Sequence, residues 1–258
     1  MRLNSLCPPL LLTFAIVILS GCGASHPRTK KLDITYGARG IEQLSYGGVV
    51  LEDLEQNPGD VFHIWHMNAT DLLGKHMTGQ QYGWGEVNTA RSWDAAKHTW
   101  KYFFDWGTIA VEFAQEGDTL HMNVTEANNP NSNIIFNGAT IYPFVLHFPR
   151  LPNNFKDVKF AQLSSNIDGG PGTNRVIVAD FGGGQIASFV PGPQKPLYHG
   201  FDPAGSGFNY FPIISSTSMD SMASFFPRID RPVEPGKEDR FTVSLRFAPS
   251  GTPISGLQ

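Results

Sequence analysis

Thr108-Ile109-Ala110-Val111-Glu112-Phe113, then Gln115-Glu116-Gly117-Asp118, then Thr119-Leu120-His121-Met122-Asn123-Val124-Thr125 decide the fold. Two strand-like runs flank a short polar turn containing glycine, which is the pattern of a β-hairpin. Working outward, the same signal returns along the chain. Arg240–Phe247 places Phe241, Val243, Leu245 and Phe247 on one face at period two. Leu32–Tyr36 alternates and stops at Gly37, Ile41–Tyr46 closes at Gly47-Gly48, and Val61–His66 and the aromatic-rich Trp100–Trp106 follow. Phe144–Phe148, Val158–Leu163, Arg175–Phe181, Gln185–Val190 and Pro196–Phe201 are each bounded by Gly or Pro. No long stretch sustains helical spacing with caps. Asp71–Lys75 and Ser92–Lys97 are expected to form single helical turns. Leu73–Trp93, with weak strand signal, is expected to be one long loop of the kind that often carries function. The expected fold is all-β, a large antiparallel two-sheet β-sandwich.

Composition agrees. The 258 residues include 27 Gly, 19 Pro and 19 Phe, suited to many short strands joined by tight turns. Only 16% of residues are charged and the net charge is −4, without an acidic or basic block. That disfavours nucleic-acid binding, which needs a basic footprint. No fixed-period repeat suggests a propeller or solenoid.

The N-terminus carries a separate message. Met1-Arg2 precedes an apolar stretch, Leu6–Leu19, which ends at Ser20-Gly21-Cys22. The stretch is shorter than the ~20 apolar residues that span a bilayer and has the form of a secretory signal. Leu19-Ser20-Gly21-Cys22 resembles a bacterial lipobox. The resemblance implies cleavage before Cys22, acylation of that residue, and residence in the bacterial cell envelope on a periplasmic or outer face. Each buried CH₂ of the acyl chains adds about 0.8 kcal/mol to membrane affinity. The expected organisation is a signal peptide over 1–21, a lipidated tether over 22–31 and a single β-sandwich domain over 32–258. Cys7 leaves with the signal, so a disulfide framework is excluded.

Candidate chemistry concentrates between His63 and Trp106. All five tryptophans (Trp65, Trp84, Trp93, Trp100, Trp106) lie there with His63, His66, His76, Tyr82, Glu86, Arg91, Asp94 and Asp105. An aromatic wall with a few polar groups suits a sugar: the indole face meets the C–H face, and carboxylates, Arg and amides meet the hydroxyls. The candidate ligand-binding set is His63, Trp65, His76, Tyr82, Trp84, Glu86, Arg91, Trp93 and Asp105. Trp100 and Trp106, in strand-like runs, read as core; for Trp84 and Trp93, core and cleft both stand open. His63 and His66, three apart on a strand, face opposite sides, so no metal site is expected. Glu86, Asp94, Asp105 and Glu112 are the carboxylates nearest the aromatic group. Gly-x-Ser-x-Gly is absent, which disfavours that class of hydrolase. The glycine clusters at 169–172 and 182–184 lack the Lys-Ser/Thr of a phosphate loop, and no cofactor is implied.

Ile34–Gly37 with Gly40–Gly48, Gly117–Thr125, Tyr142–Pro149, Ile229–Gly236 and Val243–Phe247 together resemble the galactose mutarotase-like supersandwich domains of carbohydrate-active proteins. The resemblance covers about residues 32–249 and implies contact with mono- or polysaccharide. True mutarotases use a His and a Glu as acid and base, and neither maps onto a position here. Many such domains accompany a catalytic domain without being catalytic themselves. Three functions follow as expectations: a lipid-anchored, carbohydrate-binding protein without chemistry of its own; a saccharide epimerase, lyase or hydrolase; and a structural envelope lipoprotein that binds another protein.

Overall fold

The computed structural model describes residues 31–53, 62–79, 82–84, 89–142, 146–147, 159–164, 175–192, 194–195, 197–201, 209–210, 212–215 and 231–253. Residues 1–30, with Cys22 and most of the tether, lie outside this set, as do Glu86, Val61 and Phe144.

Among the described residues every regular element is a strand: β1 (Leu32–Gly37), β2 (Gly40–Tyr46), β3 (Val49–Asp53), β4 (His63–Asp71), β5 (Gly83–Trp84), β6 (Ala90–Asp94), β7 (Thr99–Phe103), β8 (Gly107–Glu116), β9 (Thr119–Asn128), β10 (Ile134–Tyr142), β11 (Leu146–His147), β12 (Lys159–Ser164), β13 (Arg175–Asp180), β14 (Gln185–Phe189), β15 (Tyr198–Phe201), β16 (Asn209–Tyr210), β17 (Pro212–Ser215) and β18 (Glu238–Ala248). The largest sheet has the order β12-β13-β14-β18-β9-β8-β7-β6. A five-stranded sheet, β15-β17-β10-β4-β5, and a three-stranded one, β1-β2-β3, share its core, and β11 pairs β16. All strand pairings among the described residues are antiparallel.

The hairpin expected at Gly117 is β8–β9, in register from Glu116↔Thr119 to Gly107↔Asn128. Gly117 takes φ 56°, a left-handed conformation that glycine adopts without a Cβ clash. Alternation then sorts the side chains. Ile109, Val111 and Phe113 of β8, Leu120, Met122 and Val124 of β9, and Phe241, Val243, Leu245 and Phe247 of β18 are all buried inward. They meet Ile64, Met67, Ala69, Phe136 and Ile141 of the five-stranded sheet in one core. Trp106 helps join the layers: its ring stacks on Phe136, centroids 4.1 Å apart.

Two local expectations are corrected. Asp71–Lys75 is a tight turn rather than a helical one, because Asp71 Oδ1 accepts the N–H groups of Leu73 (2.8 Å) and Lys75 (2.9 Å). Ser92 is in β6, and Asp94 Oδ1 accepts from Ala96 N (3.0 Å) and Lys97 N (3.2 Å), which turns the chain into β7. In both cases a short aspartate side chain captures the amides a helical turn would have directed elsewhere. Leu73–Trp93 is not one loop either, since it contains β5 and most of β6.

Candidate functional site

The outward face of the large sheet carries two aligned rows of mostly polar side chains. Cross-strand registers Asp94↔Thr99, Thr99↔Glu112, Glu112↔Asn123 and Asn123↔Thr242 align five polar side chains in one row across β6, β7, β8, β9 and β18. The adjacent row runs Lys101, Ala110, Thr125, Arg240. A groove of about 570 Å³ lies over these rows, lined by Thr99, Glu112, Asn123, Thr125, Arg240 and Thr242, with Ala110 and Pro191 supplying apolar surface. That volume falls in the range of about 300–1,000 Å³ usual for small-molecule sites.

One end of the groove is bordered by a substitute for a strand. β14 pairs with β18 only as far as Phe189↔Ser244, after which the chain departs through Pro191-Gly192. The backbone of Thr242 would then lack a partner on that side, an arrangement buried peptide groups avoid. Gln194 supplies the partner: its Oε1 accepts from Thr242 N (2.8 Å) and its Nε2 donates to Thr242 O (3.1 Å) and Pro191 O (2.6 Å). Arg231 serves the next position, donating from Nη2 to Arg240 O (3.0 Å) and from Nη1 to Lys195 O (3.0 Å). The Arg231 side chain is 1% exposed and is fixed by a charge-assisted bond from Nε to Asp239 Oδ2 (2.5 Å). Burial alone would raise the Asp239 carboxyl. The hydrogen bond and charge of Arg231, the charge of Lys195 and the amide of Arg240 reverse this and hold it below the usual carboxylate value.

Within the groove, Thr242 Oγ1 donates to Asn123 Oδ1 (2.9 Å), which leaves the Asn123 NH₂ as a donor. Glu112 is exposed and accepts only. Arg240 keeps donors beyond its bond to Glu238 Oε1 (2.8 Å). The Thr99 hydroxyl donates to Lys97 O (3.0 Å) and keeps its acceptor lone pairs, and the Thr125 hydroxyl can donate and accept. Next along the same face, His121 Nδ1 meets Ser244 Oγ at 2.7 Å, with Glu116 3.6 Å from Nε2. The set has the residue types of a hydrolytic triad, but Ser244 is 0% exposed, so its hydroxyl cannot attack a substrate.

The residues expected from sequence lie elsewhere. Trp93 and Trp100 are cross-strand partners turned toward the core, with rings tilted at 5.4 Å. Tyr36 lies nearly parallel to both Trp93 (6.3 Å) and His98 (3.8 Å). This cluster fastens β1 of the small sheet to β6 and β7 of the large one. His98 sits at the β6–β7 turn with φ 48°, uncommon for a non-glycine residue. Burial pushes the Tyr36 hydroxyl up to about 12. Arg91 is exposed, with its Cζ 5.1 Å from the Trp100 ring centroid, within cation–π range. Tyr82 Oη donates to Asp105 Oδ1 (3.2 Å); burial, then the charge of Asp105, then this bond raise the phenol well above its usual range. His63 opens β4 opposite Tyr142 and is half-buried, whereas His76 is exposed in an isolated bridge to Thr70. The backbones of Trp65 and Trp84 lie in β4 and β5, Trp84 opposite His66. Among the described residues, no three metal-ligating side chains cluster. The structure thus joins Tyr82 with Asp105 and Arg91 with Trp93 through Trp100, but brings none of the described candidates into the groove lining. Of the groove residues, only Glu112 stood out in the sequence; the others show as small polar side chains at outward positions of long alternating strands, a signal shared with ordinary solvated faces.

No family model and no curated protein sequence matches the chain. Solved structures similar in fold include a polysaccharide lyase (10% identity, TM-score 0.47, 85% of this chain). The chain spans 32% of that lyase's length. A galactose mutarotase-related enzyme of Lactobacillus acidophilus is similar over 87% of this chain and 97% of its own (10% identity, TM-score 0.47). A protein of Synechocystis sp. PCC 6803 is similar over 96% and 99% (11% identity, TM-score 0.46).

Proposed function

We propose that this chain is an exported lipoprotein, held at a bacterial envelope membrane by acyl groups on Cys22, whose β-sandwich binds a saccharide in the groove between Thr99 and Gln194. The observation that carries the binding half is the composition of the Thr99–Glu112–Asn123–Thr242 row and its neighbour. Hydroxyl, carboxylate, amide and guanidinium groups stand beside the apolar Ala110 and Pro191. Such a lining serves both the hydroxyl rim and the C–H face of a sugar ring.

The reading is of binding without bond cleavage. Glycoside hydrolysis ordinarily uses two carboxyl groups about 5–10 Å apart, and Glu112 is the one carboxylate among the described lining residues. Titration calorimetry of the folded protein against mono- and oligosaccharides tests this. Saturable binding, weakened about tenfold by Glu112→Gln or Asn123→Ala, is the expected outcome, corresponding to loss of one good hydrogen bond. A folded protein that binds none of them refutes the assignment, and release of shortened products on incubation refutes its non-catalytic part.

A further inference from the structure

Among the described residues three large apolar side chains are exposed: Leu72 (59%), Leu73 (94%) and Phe103 (41%). They share one end of the sandwich. Phe103 pairs with Thr108, one step from Gly107↔Asn128. The Asn128 side-chain amide donates to Ile134 O (2.9 Å), and Ile134 stands opposite Asp71, where the Leu72-Leu73 turn begins. The Tyr82–Asp105 bond ties the chain entering β5 to the chain leaving β7. The turn itself is closed by its own bonds. Asp71 Oδ1 accepts from Leu73 N and Lys75 N, Asp71 O accepts from Gly74 N (3.0 Å), and Asp71 N donates to Lys75 O (2.8 Å). Gly74, at φ 85°, makes the bend. The two leucines therefore stand on a stiff projection whose amides at 73, 74 and 75 need no water. Cations flank the apolar groups: Lys75 follows Leu73 by two residues, Lys101 Nζ lies 5.7 Å from the Phe103 ring centroid, and exposed Arg91 is paired with Tyr102. The neighbouring carboxylates of Asp71 and Asp105 are engaged by the turn amides and by Tyr82 Oη.

We infer that this end of the sandwich docks on a lipid bilayer, with Leu72 and Leu73 at the boundary of headgroups and acyl chains and with Lys75, Lys101 and Arg91 against anionic headgroups. A bilayer surface asks three things of a projecting loop. Its side chains must gain by leaving water, its backbone donors must be satisfied from within, and its cations must lie where phosphates do. The Asp71–Lys75 turn meets the first two, and the flanking cations, whose aliphatic stems run along apolar surface, meet the third. The inference takes from the proposed function only the anchor on Cys22. The tether enters at the opposite end, where Asp118 Oδ1 accepts from Leu32 N (2.9 Å). From that end β9 runs from Thr119 to Asn128, a length of about 30 Å at about 3.4 Å per residue. The chain from Cys22 to Leu32 extends to at most about 36 Å at about 3.6 Å per residue. The tether is thus long enough for the tip to touch the bilayer that holds Cys22, and the sandwich then lies along the membrane on two contacts, the second made intramolecular by the first.

The test uses the acylated chain reconstituted in vesicles of phosphatidylcholine, with and without phosphatidylglycerol. With Cys22 acylated, an introduced cysteine is the reactive thiol. An environment-sensitive dye is attached at Lys75→Cys, beside the tip, or at Glu116→Cys, at the tether end. The dye at 75 is expected to shift to the blue and to be quenched by nitroxide-labelled lipid at least about threefold more than the dye at 116, and more strongly with phosphatidylglycerol present. Leu72→Ser combined with Leu73→Ser alters exposed side chains and is expected to leave the melting temperature unchanged while bringing quenching at 75 down to the level at 116. Equal quenching at the two positions with both leucines present, or unchanged quenching in the serine variant, overturns the inference while leaving the anchor in place. Shielding of the dye at 75 that needs an added extract of envelope proteins, and is absent with vesicles alone, overturns the bilayer in favour of a protein partner. A chain that fails to float with vesicles and carries a free Cys22 thiol overturns the lipoprotein reading instead. Cys22→Ser protein mixed with the same vesicles then decides the tip: flotation that falls at least about fivefold in the Leu72→Ser, Leu73→Ser background upholds it, and no flotation overturns it.

Discussion

Gln194 and Thr242 bond to each other as two paired strand residues would, a side-chain amide on one side and a peptide group on the other. The bond pattern needs both halves of the amide. Gln194→Glu puts an acceptor against Thr242 O and Pro191 O and removes the donor. We predict a loss of about 1–3 kcal/mol, the range for an unsatisfied buried polar group, read as a lower urea midpoint with an unchanged slope.

Arg231 and Asp239 form a second fastening beside Gln194, and both side chains are nearly buried (1% and 7% exposed). Removing one partner strands the other's charge. Arg231→Met and Asp239→Asn are each expected to destabilise by about 3–5 kcal/mol. The double variant should cost less than the sum, which a double-mutant cycle in urea measures.

Asp239 also predicts a pH dependence. Its folded carboxyl lies below its unfolded value, so its contribution is complete above the unfolded value near 4 and fades as pH falls toward the folded value. Melting temperature should therefore drop more steeply between pH 5 and 3 in wild type than in Asp239→Asn. Equal slopes would remove the assignment.

Tyr36 gives the opposite sign. Its folded hydroxyl is pushed up to about 12 by burial, and its oxygen is buried without a hydrogen-bond partner among the described residues. The contribution is present below the unfolded value near 10 and is lost as pH rises through the folded one. Tyr36→Phe is expected to raise stability at pH 7 by about 1 kcal/mol, since an unsatisfied hydroxyl is removed. It should also flatten the alkaline decline above pH 10, followed by thermal melts.

Gly40 tests how tightly the small sheet is seated. It holds φ 95°, and an added Cβ would lie 2.6 Å from Trp100 Nε1. Gly40→Ala combines backbone strain with displacement of an indole in the Tyr36–Trp93–Trp100 cluster. A loss of about 1–3 kcal/mol, with a shift in tryptophan emission, is the expected result.

For the anchor, Cys22→Ala is expected to abolish signal cleavage at residue 21 and acyl labelling. A variant that is still cleaved there and still acylated would refute the lipobox reading.

The sheet architecture was legible because burial writes itself onto strands with a period of two: Phe241, Val243, Leu245 and Phe247 needed no tertiary knowledge. β10 was not legible. Asn137-Gly138 ordinarily marks a turn, yet here Gly138, at φ 109°, sits in a bulge inside a nine-residue strand. The groove was hidden for a different reason. Thr99, Glu112, Asn123 and Thr242 are separated by as many as 119 positions between neighbours in the row, and only cross-strand register makes them adjacent. Aromatic residues drew attention instead because they are chemically distinctive, but Trp93 and Trp100 join the sheets. Gln194 carried no local signal, since its role exists only where β14 leaves β18.

β9 alternates without a break between fully and partly buried residues. Leu120, Met122 and Val124 belong to the core, while His121, Asn123 and Thr125 belong to the outer face. Folding and the proposed recognition are thus inscribed on even and odd letters of the same word. Selection can rewrite one set while leaving the other untouched, so a lineage of such proteins can exchange one ligand for another by drift on the outer letters, with no intermediate that fails to fold.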